Sequence, residues 1–173
     1  MATDFKLSKK HDFCFKFDVD GEEVIKTVSI DMTDNSLGKK LIAAQDKINE
    51  KVKKVKIKDV EFKSKEFPKN LDTFDDFSSL SDDQREDIVG YIDALEDYEN
   101  KMNEIIINEI NDSLNADFSP VFEYLRPIDD YDGEPFAVAV LKNLGDKIIA
   151  YSKKIAKEKE KKASKKDYMR KYK

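Results

Sequence analysis

Phe13, Phe15, Phe17 and Val19 alternate with Asp12, Cys14, Lys16 and Asp18. A period of two marks a strand with one face in a core and the other in water. Asp20-Gly21 follows, the dipeptide that suits a two-residue hairpin turn because both central positions take positive φ. The return strand is expected over about 22–30, with Val24, Val28 and Ile30 on one face. An isolated hairpin is marginally stable in water, so its phenylalanine face must lie on helices or on another chain.

Beyond the hairpin the period changes to that of a helix. Thr33, Asp34 and Ser36 offer N-caps. Leu37, Leu41, Ala44, Ile48, Val52 and Val55 then form one stripe on a helix over 36–55, whose lysine-rich end suits its C-terminal dipole. Residues 59–80 lose this periodicity and contain Pro68. Phe62, Phe67, Phe74 and Phe77 are too many aromatics for a simple linker, so an ordered connection that tucks them against the body is expected, with a short helical turn near Thr73–Phe77. Ser81 and Gln84 form a capping box that opens a helix over 82–114. Its stripe is Ile88, Ile92, Leu95, Met102, Ile105, Ile106, Glu109/Ile110 and Leu114, with Tyr91 and Tyr98 at its edges, and any break should fall near Asn111–Asn115. Ser119-Pro120 starts a short helix, 120–126, that Pro127 closes. Asp129–Gly133 reads as a loop. Glu134-Pro135 starts the last helix, 135–158, carrying Phe136, Val140, Leu141, Leu144, Ile148, Tyr151 and Ile155.

The fold class is therefore mainly α (α+β): an N-terminal β-hairpin followed by a bundle of three to four helices and a basic C-terminal tail. Residues 1–11 are expected to be a flexible N-terminus. Residues 12–158 should form one helical domain that includes the hairpin (12–31), and 159–173 a frayed basic tail.

Charge sharpens this picture because it is sorted along the chain. The 173 residues carry a net −5, yet 71–134 hold twenty acids against three bases, and 153–173 eleven bases against three acids. An acidic body repels nucleic acid and favours a cationic partner. A basic tail with Tyr168 and Tyr172 has the composition to bind phosphates and stack on bases, but equally that of a solvated end. Cys14 is the single cysteine, which excludes an internal disulfide and fits a reducing cytoplasm. Its place in the strand reads as a small buried or half-buried side chain. The N-terminus lacks a signal-peptide apolar run, and no stretch reaches the roughly 20 apolar residues of a membrane span.

The residues for catalysis are not evident. Aligning Gly133 with the glycine of a calcium loop places Asp130 and Asp132 at ligand positions, but Ile128 and Ala139 occupy the first and last. One cysteine and one histidine, Cys14 and His11, cannot supply a zinc site, and five glycines hold no phosphate-binding motif. The reading is a protein without catalytic, cofactor or metal residues.

The order of elements points to a family. The segment Phe15-Lys16-Phe17-Asp18-Val19-Asp20-Gly21-Glu22-Glu23 leads through Asp34 into the lysine-rich helix at Leu37–Val55. An acidic helical middle follows, then the closing run Lys166-Asp167-Tyr168-Met169-Arg170-Lys171-Tyr172. This resembles the tail assembly chaperones of long-tailed, siphovirus-type bacteriophages of Gram-positive bacteria. The chain departs from small members in its length and its phenylalanine-rich stretch at 59–80. The resemblance implies a non-catalytic protein of the host cytoplasm that binds and solubilises the tape measure protein during tail morphogenesis. It also implies contact with the tail tube protein and self-association, without membrane or nucleic acid. On this reading Phe62, Phe67, Phe74, Phe77, Tyr168 and Tyr172 are the candidate partner-binding residues. The alternative from a different class is an acidic inhibitor or nucleic-acid mimic that binds a basic partner.

Overall fold

The computed structural model describes residues 10–19, 21–34, 36–63 and 80–171; the side chains of Val19 and 163–171 lie outside the description. Strands β1 (Lys10–Val19) and β2 (Glu22–Asp31) pair antiparallel, with Phe13 opposite Val28 and Phe17 opposite Val24. Gly21 takes φ +84, which glycine adopts without a Cβ clash. The Asp18 carboxylate accepts the Gly21 N–H at 2.9 Å. The alternation holds: Phe13, Phe15, Val28 and Ile30 are buried on one face, and Phe17 is half-buried beside them.

Two expectations about this region are corrected. His11 lies in the strand and not in a loose terminus, because the ladder continues to Lys10–Asp31 and the imidazole packs on the Tyr151 ring at 4.5 Å. Cys14 is exposed, since the alternation that buries Phe13 and Phe15 turns it to water, where Sγ meets the Thr27 hydroxyl at 3.6 Å.

Helix α1 (Leu37–Val52) buries Leu37, Ala44 and Ile48. Helix α2 (Asp82–Leu114) starts at the expected capping box, with both reciprocal bonds between Ser81 and Gln84 present, and ends at Asn115 in the left-handed conformation. It runs unbroken. Its stripe differs from the expected one in its first half: Ile92 is half exposed, while Asp87 is buried and accepts the Lys63 backbone N–H at 2.7 Å. A carboxylate is tolerated there because it satisfies the backbone of the segment that crosses over it.

The expected helix at 120–126 is shorter and tighter, a 3-10 turn at Ser119–Phe122. Asn111 captures the Phe118 N–H at 2.7 Å and Asp129 the Arg126 N–H at 2.7 Å, so both flanking amides bond to side chains. Pro127 excludes continuation. The expected loop at 129–133 is a small hairpin of β3 (Asp130–Tyr131) and β4 (Glu134–Pro135), turning through Asp132 (φ 56) and Gly133 (φ 83). Asp130 accepts the Gly133 N–H.

Helix α3 spans Phe136–Lys171 and so passes well beyond the expected end at 158. Its stripe stops where expected: Phe136, Val140, Leu141, Leu144 and Ile148 are buried, Tyr151 and Ile155 are half-buried, and 156–162 are exposed. Alternating short-range charges and good helix formers keep the backbone helical after its packing ends.

The core forms where the hairpin face meets the 3-10 turn and the start of α3. Phe15 lies edge-on to Phe118 (6.0 Å) and Phe17 edge-on to Phe136 (4.8 Å), while Ile110 and Leu144 are fully buried nearby. Helix α1 packs chiefly on α2, tied by the ion pair from Lys51 to the buried Glu109.

Two helical glycines have room for a methyl group. A Cβ on Gly90 would meet Val60 Cγ1 at 3.7 Å, and one on Gly145 would meet Leu41 Cδ2 at 3.8 Å, both ordinary contacts. Gly90→Ala and Gly145→Ala are each expected to raise the unfolding free energy by about 0.5–1 kcal/mol in denaturant titration. Phe15→Ala should lower it by about 3–5 kcal/mol.

Candidate functional site

A concave feature with an apolar floor, a groove, lies between the hairpin exit and α3. Met32 and Leu37 form one wall; Ile148, Tyr151 and Ile155 form the other. It is open and holds about 760 Å³. Local sequence builds it. Asp31 ends β2 and accepts both the backbone N–H (2.9 Å) and the hydroxyl (2.7 Å) of Thr33, which turns the chain. Asp34 then accepts the Ser36 N–H at 2.8 Å, and α1 starts at Leu37, three residues after Asp34. Gly38, one residue into α1, leaves the floor open because no side chain projects from it.

Across the groove, α3 turns Ile149 to solvent at its lip, 53% exposed, and places Lys153 and Lys159 on the rim. The opposite rim carries Asp34, which pairs with Lys40. An apolar floor between rims of opposite charge suits an amphipathic segment.

The electrostatics of the rim are local. The Lys40 ammonium, followed by the Ser36 hydroxyl and amide, holds the Asp34 carboxyl well below the usual carboxylate range. Asp31 is lowered too, first by the Thr33 hydroxyl and then by its amide. On the far side of the hairpin, Lys26 is raised by its bond to Glu123 and sits 4.6 Å over the Tyr124 ring. Among the described residues no group of three or more His, Cys, Asp or Glu side chains is arranged to hold a metal ion. No described helix is long and apolar enough to cross a membrane.

The candidate partner residues are placed as follows. Phe62 is 49% exposed and lies beside Tyr91, ring centroids 6.4 Å apart. The expected tucking of Phe62 against the body is thus only partial, since α2 presents Tyr91 there and no deeper pocket. Phe67, Phe74, Phe77 and Tyr172 lie outside the described residues, as does the expected helical turn near Thr73–Phe77. Tyr168 belongs to the α3 backbone, and its side chain lies outside the description. Phe62 is therefore not in the groove. The groove residues were missed as a site because Met32, Leu37, Ile148 and Ile155 look like core in a one-dimensional pattern. One signal was available: Ile149 follows Ile148 off the stripe, and an isoleucine there has no place in the core.

Searches against protein families, curated proteins and solved structures give no match to this chain.

The depressed Asp34 gives a pH signature. A carboxyl whose folded value lies below its unfolded one stabilises the fold above the unfolded value, about pH 4, and loses that contribution as pH falls toward the folded value. Asp34→Asn is therefore expected to be less stable than the parent at pH 6–7. The gap should close progressively below about pH 4. Thermal melts of both proteins across that range check this.

Proposed function

We propose that this protein is a non-catalytic assembly chaperone that binds a long amphipathic-helical client. Together with the family resemblance, this gives a siphovirus-type tail assembly chaperone that keeps the tape measure protein soluble in the host cytoplasm. The observation that carries the reading is the groove at Met32–Gly38 and Ile148–Lys159. Helix-in-groove recognition needs an apolar floor for residues spaced i, i+3 and i+4 and a polar rim that tolerates many sequences. Both are present, and the rim charges have opposite sign, so a client helix with mixed charge is accepted in a preferred direction. The exposed Phe62 and Tyr91 supply a second apolar contact on the same protein. A long client with repeated amphipathic turns engages both, and two weak sites on one chain gain strength from their linkage.

The acidic-inhibitor reading draws on the outward carboxylates of α2. It requires a basic target displaced by DNA and released by salt. The groove floor plays no part in it.

Co-expression with a tape measure protein separates the two. The wild type should carry the client into the soluble fraction at high salt, and Ile149→Glu/Ile155→Glu should weaken capture by roughly tenfold, about 1.4 kcal/mol, while the melting curve stays close to that of the parent. A client that stays insoluble beside the wild type, or is held equally by the variant, rejects the groove.

A further inference from the structure

The two rims of the groove differ in how much of their charge is already engaged. Asp34 stands on the rim beside α1. Its carboxylate accepts the Ser36 N–H at 2.8 Å, the Ser36 hydroxyl and the Lys40 ammonium. Both oxygens therefore have partners within the chain, and Lys40 balances the charge. Lys153 and Lys159 line the α3 side, are exposed, and form no ion pair among the described residues. Once Asp34 is paired, two ammonium groups are the uncompensated charge of the lining.

The walls specify the conformation of an occupant. Strand β2 ends at Asp31, before the groove, and α3 forms the far wall. An extended peptide would find no strand edge to pair with, whereas a helix satisfies its own backbone. Ile148, Ser152, Ile155 and Lys159 recur at steps of four, three and four along α3, the seam spacing along which a second helix packs. From Ile148 to Lys159 is about 16 Å, or three helical turns. Lys153 stands about 9 Å from Lys159 along the axis and about 120° from it around the helix. Lys159 is thus in the seam at one end, and Lys153 is on the flank one turn beyond Ile149.

We infer that the groove selects an amphipathic helix of about three turns whose apolar row is flanked, on the side toward α3, by carboxylates one heptad apart. This selection rests on the groove being the client site, and adds the sign of the client. Carboxylates at i and i+7 rise about 10 Å along their helix, within reach of both flexible lysine stems. The apolar row covers Met32, Leu37, Ile148 and Ile155. A lysine at the same positions would meet two ammonium groups, with Asp34 already held by Lys40. Juxtaposing like charges is how an interface rejects the wrong partner. The preference is local: the acid excess of the chain lies on 71–134, whereas the groove is lined by one acid and two bases.

Fluorescence anisotropy on the full chain tests this with two labelled, lactam-stapled helices of about 14 residues. Both carry leucine at heptad positions a and d; one carries glutamate and the other lysine at position e. At about 50 mM salt the glutamate helix should bind about tenfold more tightly than the lysine helix, and the gap should shrink at about 500 mM. Lys153→Glu/Lys159→Glu should reverse the preference with circular dichroism unchanged, and Lys153→Arg/Lys159→Arg should keep it. Lys154→Glu/Lys157→Glu, at positions that do not line the groove, should change it little. Ile149→Glu/Ile155→Glu should weaken both helices alike. Equal affinity of the two helices for the wild type, or a preference that follows Lys154 and Lys157 instead, overturns the acid selection while the groove stands. Binding of neither helix removes the groove and the selection with it.

Discussion

The structure depends on the contact between the phenylalanine face of the hairpin and the aromatic corner made by Phe118, Phe122 and Phe136. A two-stranded sheet has no stability of its own, and a helix of this composition has little. Each becomes stable by covering the other. Phe15, Phe118 and Phe136 are among the largest fully buried side chains, and they come from three separate stretches of the chain. Closing that corner fixes the direction in which α3 departs. That direction in turn sets the gap between α3 and the start of α1, which is the groove. The groove is thus a by-product of where the aromatic corner sits.

How far the sequence declared this varies by element. The hairpin was legible because alternation and Asp-Gly act over a few residues. The limits of α2 were legible because Ser81 and Gln84 satisfy amides within one turn. The aliphatic stripe of α3 was legible to Ile155. What escaped depends on partners far along the chain. Ile92 has the right spacing for core, yet is half exposed, because Asp87 is the α2 residue that meets the strap at Lys63. The 3-10 turn is short because Asn111 and Asp129 take the amides on either side of it, a choice invisible without the fold. The groove escaped for the same reason: whether a core-like residue is covered depends on what packs across from it, and Leu37 and Ile148 are separated by more than a hundred positions.

The helical extension of α3 raises a different issue. An exposed helix without a packed face is marginal in water, since each residue gains only its own propensity and charge pairs. Residues 156–162 bury nothing, but they persist as helix through spacings such as Lys157–Glu160 and Glu158–Lys161 or Lys162. As a helix, this segment presents its lysines in rows along the axis.

Charge segregation and the lean core belong to one arrangement. With 40% of residues charged, burial alone cannot place every helix face, and the acids and bases have been sorted to different elements. Within one molecule this sorting costs stability: α2 repels itself along its length, and among the described residues Lys51, Lys58, Lys63, Arg85 and Arg126 form ion pairs with its acids. Those bases come chiefly from α1, the strap after it and the 3-10 region. Self-repulsion that the fold leaves in place is relieved by a cation from outside.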